Sequence, residues 1–200
     1  MTDACTVIGL DLGGTNIKGL ALAADGRVLA EETRPTFDRG GTAWRENVRA
    51  VCASLRTRSP SVGAAGLCAP GLPTRDERTI AHMPGRLEGI VGFRWDEFLG
   101  LQTVVVNDAQ AALRAEVWQG AARGEGNVLM LTLGTGVGGA AMVDGHVLRG
   151  HLGRAGHLGH VSLDPLGPPD IVGTPGSLED AIGECSLARR SGGKFGSTHE

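Results

Sequence analysis

Apolar and polar positions along this chain fall into short runs that glycine interrupts. Val7, Ile8, Leu10 and Leu12 make an apolar run suited to a strand buried on both faces, and Gly13-Gly14 closes it with a turn. Gly19 to Ala24 predicts a second strand, Asp25-Gly26 a two-residue hairpin turn, and Arg27 to Thr33 a third strand. Three strands joined by tight turns make an antiparallel meander. Thr36 to Gly41 is a loop. Trp44, Val48, Val51 and Leu55 then recur at helical spacing, with Arg45, Arg49 and Arg56 on other faces, which assigns Trp44 to the core rather than to a ligand. Val62 to Cys68 predicts a buried strand of small residues ending in the rigid loop Ala69-Pro70-Gly71. Residues 73 to 100 read as loop around a short helix at Trp95 to Leu99. Leu101 to Val106 predicts a buried strand that stops at Asn107-Asp108, and Ala109 to Trp118 a helix with Ala112, Leu113 and Val117 facing inward.

The second part of the chain echoes the opening. Asn127 to Leu133 predicts a buried strand, and Gly134-Thr-Gly-Val-Gly-Gly139 a glycine turn. Ala140 to Val143, Asp144-Gly145 and His146 to Leu148 then repeat strand, turn, strand. This pattern returns about 120 residues after its first appearance, the signature of two related halves. Gly150 to Gly159 is a loop rich in glycine and histidine. Ser177-Leu-Glu-Asp180 carries the hydroxyl-x-x-acid pattern of a helix start. The last dozen residues read as a loop or frayed end.

Composition narrows the chemistry. Two hundred residues with a net charge of −3 offer no basic surface for nucleic acid. Thirty-three glycines, no tyrosine and 4% aromatics suit a backbone-rich binding site and not a base-stacking platform. Cys5, Cys52, Cys68 and Cys185 form no CxxC pair, so a reduced, cytoplasmic protein is expected. There is no signal-peptide pattern and no apolar run of bilayer length, so no membrane partner is expected.

Five features carry candidate chemistry. At the first turn, the bare backbone of Gly13 and Gly14 can lie against an anion, and Thr15 and Asn16 can donate to phosphate oxygens. Lys18 adds positive charge, and Asp11 can hold magnesium directly or through water. A plain hairpin is the alternative. At the second turn, Gly134, Gly136 and Gly139 satisfy GxGxxG, but a strand follows where a dinucleotide site needs a helix. The turn therefore reads as a second phosphate loop with the Thr135 hydroxyl, or as another glycine-rich hairpin. Asn107-Asp108, where a strand meets a helix, reads either as an N-cap or as a general base with a hydroxyl-binding neighbour. His157 and His160 stand at i and i+3, but their flanking glycines oppose the helix a metal pair would need. Glu179 can accept from hydroxyls or favour its helix start.

Taken together, Gly9 to Thr15, Ala69 to Gly71, Val106 to Ala109, Leu133 to Gly139, Leu148 to Gly150 and Gly156 to His160 resemble the ROK family (repressors, open reading frames and kinases) of the sugar kinase/Hsp70/actin superfamily. The resemblance runs from Val7 to about Gly183. It implies an α/β, actin-like ATPase (ribonuclease H-like) fold with a mixed sheet in each of two lobes: residues 1–117, and 118–200 as an incomplete second lobe. It implies ATP with Mg2+, and a hexose such as glucose, in the cleft between the lobes. Asp11, Gly13, Gly14, Thr15, Asn16 and Lys18 would serve the first phosphate loop, with Asp11 toward the magnesium, and Gly134, Thr135, Gly136, Gly138 and Gly139 the second. Asp108 would deprotonate the sugar hydroxyl, and Gly71, Asn107, His157, His160 and Glu179 would contact the sugar. A homodimer is compatible with the resemblance.

Three departures from the family stand out. His157 replaces the usual glutamate, exchanging an acceptor for one donor and one acceptor. Many members bind a structural zinc through the position of His160 and a following cysteine cluster, but residues 161 to 178 contain no cysteine, so no zinc site is expected. Instead, Pro165, Pro168, Pro169 and Pro175 are expected to stiffen that loop. The chain is also shorter than full members. The expected activity is ATP-dependent phosphorylation of a hexose hydroxyl; the alternative is a non-catalytic sugar- or nucleotide-binding remnant. A repressor would carry a helix-turn-helix ahead of the first loop, and only six residues precede Val7.

Overall fold

The opening apolar run forms β1 (Thr6–Leu12), and the predicted meander continues through β2 (Asn16–Ala23) and β3 (Val28–Pro35). The computed structural model describes residues 6–38 and 40–196, so Cys5 and the last four residues of the expected terminal loop lie outside it. Contacts divide the chain into two compact units, one up to Ala111 and one from Ala112 onward.

In the first unit, α1 (Ala43–Arg58) leads to β4 (Val62–Ala69). The short strands β5 (Leu72–Pro73) and β6 (Ile80–His82), the helix α2 (Trp95–Leu99) and the strand β7 (Gln102–Asn107) follow. The sheet order is β3-β2-β1-β4-β7, antiparallel through β3, β2 and β1 and parallel from β1 to β4 to β7. Parallel neighbours need a long crossover, and α1 supplies it between β3 and β4. Its predicted stripe is buried: Trp44, Val48, Val51 and Leu55, joined by Cys52. The glycine at position 19 of β2 makes the close approach of α1 possible, since a Cβ there would stand 2.4 Å from Val51 Cγ1 and 2.8 Å from Leu55 Cδ1. Trp44 packs in an aromatic cluster with Phe93, Trp95 and Phe98.

Several expectations are corrected. β1 is fully buried on one face only: Ile8, Leu10 and Leu12 are covered, whereas Val7 is half-buried and Asp11 exposed. Asp25-Gly26 is not a two-residue turn. Ala23 N–H bonds to Arg27 O at 3.0 Å around a three-residue loop with only Gly26 left-handed (φ 87°). The β5–β6 pair interrupts a stretch that reads as loop, because strands this short carry no periodicity.

The helix α3 (Asp108–Gln119) carries the chain into the second unit. Leu113 is buried and Val117 half-buried, but Ala112 is exposed; Ala109 and Gln110 are covered instead. The strands β8 (Val128–Leu133), β9 (Val137–Val143) and β10 (His146–Val147) form an antiparallel sheet in the order β10-β9-β8. This repeats the β3-β2-β1 half of the first sheet. Here Asp144 (φ 49°) and Gly145 (φ 77°) are both left-handed, as a two-residue turn requires. β8, expected to be buried, leaves Leu129, Leu131 and Leu133 exposed on one face. A 3-10 turn at Leu158–His160 precedes α4 (Leu178–Ile182) and α5 (Leu187–Arg190). Ser177 Oγ accepts from Asp180 N–H at 3.2 Å, so the predicted cap is formed.

Candidate functional site

In the first unit, the parallel strands β1, β4 and β7 end side by side. Register places Asp11 of β1 beside Cys68 of β4, and Ala69 beside Asn107 of β7, with Asp108 one residue on. The carboxyl ends of parallel strands are where α/β sheets bind ligands. Asp11 and Asp108 are both exposed there. The Cys68 thiol donates to Asp11 Oδ1 at 3.3 Å. Burial, then the negative charges of Asp11 and Asp108, push this thiol far above its ordinary range. Cys68 is therefore a neutral donor to Asp11 at this edge. Lys18 stands directly opposite Asp11 in the β1–β2 ladder, on the same face.

The first glycine turn is held by its carbonyls. Thr36, wholly buried, donates its hydroxyl to Gly13 O at 2.6 Å and its N–H to Thr15 O at 2.9 Å. Gly13 N–H bonds to Asn16 O across the turn at 3.1 Å. Among the described residues, the amides of Gly14 and Thr15 have no hydrogen-bond acceptor. The Arg86 guanidinium lies over Gly14, where a Cβ would strike it, and Asp38 anchors Arg86 Nε at 3.2 Å. An open cleft of about 390 Å³ runs past Asp38, Met83 and Arg86. Neither Thr36 nor Arg86 announces itself in sequence, because each acts through a fold contact more than 20 positions away.

Asn107 ties two ends together. Its Nδ2 donates to Gly71 O at 3.3 Å, and its Oδ1 accepts from Ala109 N–H at 3.0 Å. One Nδ2 hydrogen remains for a ligand. Asp108 Oδ1 accepts from the same Ala109 N–H at 2.8 Å. Gly71 is left-handed (φ 100°), and a Cβ there would meet His82 O at 2.7 Å.

The second glycine turn, in the other unit, is held in the same way. Glu184 N–H bonds to Gly134 O at 3.0 Å and Cys185 N–H to Thr135 O at 2.7 Å. Its electrostatics are opposite. Glu179 Oε2 accepts from Val137 N–H at 2.9 Å and presses on Gly136, where the first turn has a guanidinium. Gly138 and Gly139 lie within β9 and not in the turn, and Gly139 is buried beneath Leu158.

His157 and His160 stand with ring centroids 6.4 Å apart. His160 Nδ1 bonds to Asp170 Oδ2 at 2.8 Å, and the Asp170 side chain is only 1% exposed. Asp170 Oδ1 accepts from Val172 N–H at 3.0 Å and Thr174 N–H at 2.8 Å. Burial alone pushes this carboxyl up, but hydrogen bonds from His160, Thr174, Ser177 and Val172 outweigh it and hold the group well below its ordinary value. The residues do not fit a zinc ion: Nδ1 is taken by a carboxylate, and among the described residues no three His, Cys, Asp or Glu side chains gather. Asp170 was not singled out by sequence, although Asp-Ile-Val-Gly-Thr is a stretch in which an aspartate can close a turn on its own backbone.

Comparison with known proteins gives a consistent picture. The glucokinase of Halalkalibacterium halodurans is 34% identical over 91% of this chain and 58% of its own length. A crystal structure of a ROK hexokinase from Thermus thermophilus superposes with a TM-score of 0.80 at 35% identity, covering 93% of this chain and 63% of that one. A ROK family glucokinase from Streptomyces griseus, solved in complex with glucose and AMPPNP, gives a TM-score of 0.68 at 29% identity, covering 92% and 59%. The chain thus spans about three-fifths of the length of these relatives. The fold is the α/β, actin-like ATPase fold of such sugar kinases. The profile of the ROK family matches residues 7–199, and the chain belongs to that family.

Proposed function

We propose that this chain carries the phosphate- and sugar-handling residues of an ATP-dependent hexose kinase, with Asp108 as general base. The observation that supports it most is the edge where Asp11, below a glycine turn with unused amides, and Asp108, at the end of β7, act on one thiol between them. The Asp108 carboxylate takes the proton of the sugar hydroxyl. The hydroxyl oxygen forms a bond to the γ-phosphorus, the bond from that phosphorus to the β–γ bridging oxygen breaks, and ADP leaves with the electron pair. Amides of Gly14 and Thr15, with Lys18 and Arg86 near them, bind the phosphates and neutralise their charge. The exposed carboxylate of Asp11 suits a hard, oxygen-preferring cation, and Mg2+ held there would draw charge from the phosphate oxygens. Asn107, His157, His160 and Glu179 are the sugar contacts of this reading.

The test is sugar-dependent ADP release. Asp108→Asn is expected to lower kcat by about 10²–10⁴-fold without loss of fold, since the side chain is exposed. Full activity in that variant overturns the assignment. Two features favour a second reading, a binding protein without turnover: His157 in place of the family glutamate, and the Glu179 carboxylate on the second turn. Calorimetric binding of glucose with no ADP release under any hexose supports this reading against the first.

A further inference from the structure

We infer that Asp170 is a positioning residue that fixes His160 as a hydrogen-bond acceptor toward the sugar. The inference rests on the reading of His160 as a sugar contact.

The geometry that carries it is a knot around one carboxylate. Asp170 N–H bonds to Thr174 O at 2.9 Å, and Gly173 N–H returns to Asp170 O at 2.9 Å, so residues 170 to 174 wrap on themselves. The carboxylate inside the wrap takes the Val172 and Thr174 amides on one oxygen and the His160 ring on the other. It ties residues 170 to 174 directly to the His160 ring, while Ser162 Oγ on Pro175 O and Leu178 N–H on Val161 O close the base of the loop. Thr174 and Gly173 hold Asp170, and Asp170 holds the ring.

The polarity follows from the chemistry of imidazole. An ionised carboxylate can only accept, so the Nδ1 it faces carries the proton. In the neutral ring Nε2 is then a lone pair, and the hydroxyl it meets must donate. A metal ion on Nδ1 would impose the reverse, leaving Nε2–H as a donor. Exchanging metal for carboxylate therefore inverts the hydrogen bond that His160 offers a ligand. It also makes the loop independent of metal.

The experiment reads the tautomer directly. Two-bond 15N–1H correlation spectra of 15N-histidine-labelled protein, with His160→Gln to assign the signal, are expected to show Nδ1–H and bare Nε2 in the wild type. Metal analysis is expected to find no zinc, and a chelator to leave the spectrum unchanged. Protonation on Nε2, or one zinc per chain whose removal shifts the His160 signal, overturns the inference. Kinetics supply the second arm. Asp170→Asn is expected to raise the sugar KM about tenfold, with the ATP KM within about twofold, and one monodeoxy analogue of glucose is expected to escape the effect because it lacks the hydroxyl facing Nε2. An equal rise for ATP, glucose and every analogue indicates a collapsed loop and overturns it. If Asp170→Asn does not fold, the wild-type spectra and metal content decide. If no hexose is bound while the ring shows Nδ1–H, the kinase reading fails and the positioning of His160 stands.

Discussion

Two glycines separate structural from ligand-facing demands at the level of single residues. At Gly71 the backbone is left-handed and a Cβ would press on the carbonyl of His82, which cannot swing away. Gly71→Ala is expected to cost about 1–3 kcal/mol, read as a lower urea midpoint. At Gly14 the added Cβ would meet only the end of the Arg86 side chain, which can move. Gly14→Ala should leave the midpoint within about 0.5 kcal/mol of wild type while raising the ATP KM, because it fills the surface offered to a phosphate. The neighbouring thiol reports on the same edge. Burial first, then the charges of Asp11 and Asp108, hold Cys68 protonated far above the ordinary thiol range, so its alkylation at pH 8 should be slow. Asp11→Asn removes one of those charges and the carboxylate acceptor of its hydrogen bond; both changes lower the thiol pKa, so iodoacetamide should then label Cys68 faster. An unchanged rate would mean that Asp11 does not act on the thiol.

The elements differ in how far local pattern determined them. Helix α1 was legible because a 16-residue amphipathic stripe needs no partner to be recognised, and its Trp44, Val48, Val51 and Leu55 are buried as the spacing requires. The two glycine turns were equally legible, since a strand, a glycine pair and a second strand are local chemistry. The loop from Val161 to Ser177 was not. Its prolines suggest stiffness, but a buried aspartate there collects two backbone amides, of Val172 and Thr174, and a histidine ten positions away. The convergence of these three donors on one carboxylate has no period to detect. β8 misled for a different reason: an apolar run reads as buried, while only packing decides whether its second face is covered. The Asp170 knot also has a pH signature. Its carboxyl is held below the ordinary value of 3.8, so the unfolded chain takes up that proton first. The stabilisation is complete above about 3.8 and is lost as pH falls toward the folded value. Thermal scans from pH 6 to pH 2.5 should therefore show a drop in Tm below pH 4 that is smaller in Asp170→Asn. Equal slopes would show that the carboxylate contributes no such linkage.

Across the whole molecule, one architectural phrase is used twice and completed differently. The first unit extends its β3-β2-β1 meander by the parallel strands β4 and β7, so β1 becomes a central strand with its carboxyl end framed by neighbours. The second unit repeats the meander as β10-β9-β8, and among the described residues β8 remains at the edge of its sheet. Among the described residues no helix is long and apolar enough to cross a membrane. Leu129 and Leu133 are 67% and 69% exposed, with Leu131 at 42% between them, and the three point to one side because strand side chains alternate. A row of leucines on an edge strand combines unpaired backbone with uncovered apolar surface, the two features that make sheets associate. The 200-residue chain should therefore enhance the fluorescence of an apolar dye and sediment with a weight-average mass that rises with concentration above 20.6 kDa. Replacing Leu129 and Leu133 together by lysine places charge on that face without touching the buried side of the sheet. The pair should cut the dye signal by about half or more and flatten the concentration dependence, with the far-ultraviolet circular dichroism unchanged. Dye binding that survives the double substitution would place the responsible surface elsewhere, and a monomer at all concentrations would show that the β8 edge is not adhesive in solution.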